Sequence, residues 1–110
     1  RNHSYEWVKV PVGVAYGSNV EEVRQMLIKA VNNLEEKAPD GRDVIDLTRP
    51  VSVVFDDFGD NSVNLFVTYW VLVDYKFSKT GQVKEAIYNT LNEHNIEIPF
   101  PQRDLHIISQ

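Results

Sequence analysis

Asp56, Asp57 and Asp60 crowd around Gly59, and three carboxylates at a tight turn are the raw material of a divalent-cation site. Their spacing is not that of an EF-hand loop. Asp57-Phe58-Gly59 matches the metal-binding tripeptide of protein kinases by its letters, but no Gly-rich loop or catalytic loop accompanies it. The turn reads as a solvated hairpin tip. His3, His94 and His106 are scattered, with neither an HxxxH spacing nor a helical pair. Ser18 follows Gly17 at a helix start, a geometry that can hold an anion or expose a nucleophile. It lacks the second glycine of a nucleophile elbow and the lysine of a P-loop, so it reads as a helix cap. Phe66, Tyr69 and Trp70 could stack bases, as the sheet aromatics of RNA-binding domains do. The basic and glycine pattern of those domains is missing. With no cysteine there is no thiolate nucleophile and no Cys-ligated zinc. No acid–base pair, cofactor loop or metal constellation remains, and the reading is a non-enzymatic interaction module without a cofactor.

The bulk properties agree. A chain of 110 residues is one domain, long enough to bury roughly two thirds of its unfolded surface. Hydrophobic residues at 43% and charged residues at 25% are ordinary globular usage. Eleven Lys and Arg against sixteen Asp and Glu give a net charge of −5, which leaves no basic stripe for a phosphate backbone. No nucleic-acid partner is expected. No apolar run approaches the roughly 18 residues of a membrane helix. The opening Arg1-Asn2-His3-Ser4 is not a signal peptide, and a start on Arg suggests a piece excised from a longer chain.

The elements follow from periodicity. Val8, Val10, Val12 and Val14 alternate with Lys9, Pro11 and Gly13, the period of a half-buried strand. Pro11 removes a ladder donor, which predicts an edge strand or a bulge. Ser18-Asn19-Val20-Glu21 has the form of a capping box. Val20, Val23, Leu27, Ala30, Val31 and Leu34 then recur at helical steps and predict a helix over 19–36. Residues 38–49 are polar, rich in turn formers and long for a compact domain, so mobility is expected there. Strands are predicted over 51–58 and 63–73, joined by Gly59-Asp60-Asn61. A second helix runs from Ser78 or Thr80 to His94 and stops at Asn95, which accepts a left-handed conformation. Ile96 to Ile98 is a short extended piece, Pro99-Phe100-Pro101 bars helix, and Leu105 to Ile108 is a last strand.

The order β-α-β-β-α-β gives an α+β, ferredoxin-like sandwich with two helices on one face of a mostly antiparallel sheet. Phe66, Trp70 and Leu72 fall on the opposite face with no intrachain partner evident, which marks them as interface residues.

Three stretches carry a resemblance. Val12 to Val23 (VGVAYGSNVEEV), Gly59 to Leu65 (GDNSVNL) and above all Asn95 to His106 (NIEIPFPQRDLH) resemble the carboxyl-terminal domain of small-conductance mechanosensitive (MscS-type) channels. The motif residues are Gly17, Pro99, Phe100, Pro101, Gln102 and Asp104. Residues 38–49 depart from the family pattern in length and polarity. The resemblance implies a tail of a preceding β-domain or a linker at 1–6, a ferredoxin-like cage domain at 7–104 and an exit strand at 105–110. It implies a bacterial inner-membrane channel whose membrane helices lie upstream, with seven identical subunits closing a cytoplasmic cage. It also implies release of ions and small solutes on hypo-osmotic shock, with Leu105 and Ile107 coupling subunits. The isolated piece is expected as a monomer or weak dimer. The alternative is an ACT-like small-ligand regulatory domain, which shares the element order but wants a glycine-rich ligand turn that Gly17-Ser18 only partly supplies.

Overall fold

The computed structural model describes residues 4–99. Strand β1 spans Tyr5–Val14, helix α1 Val20–Asn32, strand β2 Ser52–Phe58, strand β3 Val63–Leu72 and helix α2 Lys76–Glu93. The strands form an antiparallel sheet in the order β1-β3-β2. Both helices pack on one face, an α+β architecture of the expected kind. The expected closing strand at 105–108 lies outside the described residues. Pro11 sits in β1, which is an edge strand among the described residues, as its missing donor requires.

The core lies between sheet and helices. Val8, Val10, Val12 and Val14 point inward from β1, and Val63, Leu65, Val67, Tyr69 and Val71 from β3. They meet Val23, Leu27 and Val31 of α1 and Val83, Ile87 and Leu91 of α2, each set four residues apart and so on one helical stripe. Tyr69 is buried, and its hydroxyl pairs with Thr80 Oγ1 at 2.9 Å, which satisfies the polar atom inside the core.

The cap of α1 is displaced by one residue from the sequence reading. Gly17, at φ +92°, turns the chain after β1, and Ser18 Oγ donates back to the Ala15 carbonyl at 2.7 Å. Asn19 is then the last extended residue, and its Oδ1 accepts the Glu22 N–H at 3.1 Å. Glu21 binds Arg24 and Gln25 rather than closing a capping box. The helix also ends at Asn32 rather than Glu36, because Glu36 is recruited elsewhere: its carbonyl accepts the Val44 N–H.

That recruitment corrects the expectation of a mobile 38–49 loop. Val44 is fully buried and Ile45 is only 2% exposed. Leu72 N–H donates to the Val44 carbonyl and Asp46 N–H to the Trp70 carbonyl, both at 2.9 Å, so Ile45 bridges Val71 as if β2 had resumed. Tyr5 Oη donates to the Asp43 carbonyl at 2.6 Å across the same strap. The apolar triplet Val44, Ile45 and Leu47 inside a polar stretch supplies the burial that holds it.

Helix α2 starts at Lys76, earlier than expected, because the 3₁₀ turn Val73–Tyr75 leads into it directly. Lys79 is 2% exposed, with Nζ on Glu36 Oε1 at 2.5 Å and on Gln82 Oε1 at 2.9 Å. A buried cation needs such partners, and here they tie α2 to the end of α1. Asn95 takes φ 58°, with Ile96 N–H on the Leu91 carbonyl and Asn95 N–H on that of Asn92. This is the Schellman closure that the asparagine foreshadowed.

Two outcomes test this description. Ile45→Ala should cost about 2 to 5 kcal/mol in urea unfolding, as core truncations do, whereas a mobile loop would give about 0.5 kcal/mol or less. Burial raises the Tyr69 hydroxyl above its ordinary 10.0, so the folded chain holds this proton to higher pH than the unfolded chain. Stability should therefore fall as pH rises from about 10 toward the raised value, and Tyr69→Phe should flatten that alkaline slope in unfolding measured against pH.

Candidate assembly interface

The alternation that sends valines inward sends a second set outward, and the strand register assembles that set. Trp7 lies opposite Trp70, Lys9 opposite Thr68 and Pro11 opposite Phe66, while Val54 of β2 flanks Phe66 from the other side. Cross-strand partners share a face, so these side chains form one surface on the sheet side without helices. Trp7 and Val54 are about half exposed, at 48% and 49%. Such a surface is too apolar to be explained by solvation alone.

Two cations lie over its rings. Lys9 Nζ is 4.3 Å from the Phe66 ring centre, and the Arg49 guanidinium is 4.3 Å from that of Trp70 and 5.9 Å from Tyr5. Arg49 is held by a 3.0 Å ion pair with Asp46. Asp46 is itself nearly buried, and its Oδ1 accepts the Thr48 N–H and hydroxyl. The strap therefore does more than close the core: it aims a cation at the sheet aromatics. The chemistry available is apolar contact and cation–π attraction.

Of the residues singled out from sequence, Phe66 and Trp70 do lie on this face, half-buried, but each has an intrachain cation as partner. Leu72 does not belong with them. It is 3% exposed and part of the core, because the strap and the turn after β3 cover that end of the sheet. Gly17 serves the β1–α1 turn through its positive φ. Pro99 follows Glu97, whose carbonyl accepts the Ala15 N–H at 2.9 Å and ties the departing chain to the end of β1. Phe100, Pro101, Gln102, Asp104, Leu105 and Ile107 lie outside the described residues. Asp57 Oδ1 accepts the Phe58 N–H, and no group of three metal-capable side chains occurs among the described residues. Trp7, Lys9, Val54 and Arg49 were missed. Period-two alternation places Trp7 opposite in sense to the valines, but only the β1–β3 register brings it against Trp70.

The domain is thus a sheet backed by helices on one side, with aromatics under cations on the other. The comparisons name the family. Residues 8–98 match the family model for the C-terminal region of the mechanosensitive ion channel MscS, and the chain belongs to that family. It is 35% identical over 102 residues to an uncharacterized MscS family protein of Synechocystis sp., covering 92% of this chain and 31% of that protein. It is 32% identical over 106 residues to the small-conductance mechanosensitive channel of Helicobacter pylori, covering 96% of this chain and 35% of that protein. The crystal structure of Helicobacter pylori MscS in its closed state matches with a TM-score of 0.73 at 26% identity, over 90% of this chain and 36% of that one. The chain thus spans about a third of the length of these relatives.

The guanidinium stack has its own readout. Arg49→Gln in a Trp7→Phe background should shift Trp70 fluorescence to the red and cost about 0.5 to 1 kcal/mol of stability. An unchanged emission spectrum would show that the cation does not stay over the ring.

Proposed function

We propose that this chain forms part of the wall of a cytoplasmic vestibule in a mechanosensitive channel, assembled from seven copies of the full-length subunit in a bacterial inner membrane. The observation that carries the reading is the open sheet face of Trp7, Val54, Phe66 and Trp70 on a domain of this family. A wall element needs such a face, since burying each large apolar side chain against a neighbour contributes about 1.5 to 3 kcal/mol. No helix among the described residues is long and apolar enough to cross a membrane, so the pore is assigned to other parts of the full-length protein. The activity of the whole is then release of ions and small solutes when hypo-osmotic shock raises membrane tension. The net charge of −5, repeated around a ring, favours cations in the vestibule.

Trp7→Glu tests this. The position is half exposed on an edge strand, so the isolated domain should lose only about 0.5 kcal/mol. The full-length protein should assemble less well on size-exclusion chromatography, and cells depending on it should survive hypo-osmotic shock less often. Wild-type assembly and survival would remove the face from the mechanism.

A further inference from the structure

The sheet has two unlike ends. At one end lie Trp7 and Trp70 with Arg49, and Lys9 two residues along β1. Lys9 is exposed, and no carboxylate pairs with it among the described residues. At the other end lies the β2–β3 hairpin. Every residue from Val54 to Phe58 is exposed, on both faces of the strand. Phe55 and Phe58 lie on the helix-bearing side and touch edge to face at 5.2 Å, yet Phe58 is 70% exposed while Val63 and Val14 on the same rung are buried. Asp56, the extra residue of the bulge between Phe55 and Asp57, and Asp57 itself flank this aromatic pair. Tyr16 Oη donates to the Gly59 carbonyl and braces the turn.

Aromatics under cations at one end and aromatics among carboxylates at the other are complementary, but they cannot meet within one chain. Trp70 and Val63 pair with Trp7 and Val14, and Phe58 pairs with Val63, so Trp7 and Phe58 stand seven strand residues apart along the sheet. At about 3.3 Å per residue that is roughly 23 Å. We propose that the β2–β3 hairpin of one subunit, through Phe58, Asp56 and Asp57, occupies the Trp7–Trp70 face rimmed by Lys9 and Arg49 on the next subunit. A contact between two different patches of the same chain is heterologous, and repeated by a rotation that closes it generates a ring. The occupant is thus a second copy, selected by charge and by the aromatic pair that the hairpin carries uncovered. The inference rests on the assembly reading above and names the surfaces that it uses.

Cysteine cross-linking tests it, because the 110 residues contain no cysteine. In the full-length protein, with any other cysteines replaced, Trp7→Cys and Phe58→Cys are made singly and together and oxidised mildly. An intrachain disulfide is excluded by a separation far above the roughly 7 Å limit between Cα atoms. The expected result is a ladder of covalent multimers from the double variant and none from either single variant. Dimers from Trp7→Cys alone would mean that sheet faces meet face to face and would overturn the proposal. So would an intact oligomer with no cross-link, which leaves the assembly reading standing with the face covered by another domain. Loss of all oligomers in the unmutated protein would instead defeat the assembly reading itself. Should a cysteine variant fail to fold, the exposed pair Lys9→Glu and Asp56→Lys carries the same test. Each alone should make the oligomer dissociate at higher concentration, and the two together should restore it. Losses that simply add would overturn the contact.

Discussion

Strand β3 is the member on which the domain depends, because both of its edges are taken. β1 pairs along its whole length on one side, and β2 followed by the Val44–Asp46 strap pairs on the other. A central strand paired on both sides can be apolar on its inner face, because its backbone groups find partners in its neighbours. Val63, Leu65, Val67, Tyr69 and Val71 use that freedom and form the floor on which both helices rest. The strap matters because β2 begins at Ser52, opposite Thr68, and would otherwise leave the last part of β3 unpaired.

Two helices of this length cover one face of a three-stranded sheet and no more. The other face must be wet, covered by something else, or protected. Here it is partly protected: the Lys9 ammonium and the Arg49 guanidinium lie over the rings of Phe66 and Trp70. Trp7 and Val54 have no such cover and remain half exposed. The same shortfall applies at the β2 edge of the sheet, where Phe58 is left bare although Val63 beside it is buried. The domain is complete in its core, while part of its surface stays apolar and uncovered among the described residues.

The ion pairs divide by the same logic. Glu21 with Arg24, and Asp40 with Arg42, sit on the surface, where solvent screening leaves such pairs little to contribute. Lys79 with Glu36 and Arg49 with Asp46 each have one nearly buried member; the first joins the segment after α1 to α2, and the second lies within the strap. These two pairs position elements: one sets where α1 gives way to the strap, and the other sets a cation over Trp70.

The sequence by itself determined the elements whose periodicity is local. The valines of β1, the four-residue stripes of both helices, the Gly59 turn and the left-handed Asn95 are each settled by residues within a few positions of one another. The motifs at 12–23 and 59–65 lie inside the stretch 8–98 that matches the family model, and the motif at 95–106 overlaps only its end. What tertiary structure alone decided is where separate segments meet. Val44 and Ile45 read as part of a polar loop because seven residues of 38–49 are charged, Pro or Gly, and only the vacant edge of β3 gives them strand pairing. Leu72 shares the parity of Phe66 and Trp70, so alternation placed it on the open face, yet the strap closes over it. Trp7 meets Trp70 through a register fixed by burying four valines at once, since a slip of one residue would turn all of them outward. Helical and strand periods are written within a segment, but register, coverage and the cations over the aromatics depend on which segments pack, and that is decided by the total burial of the folded chain.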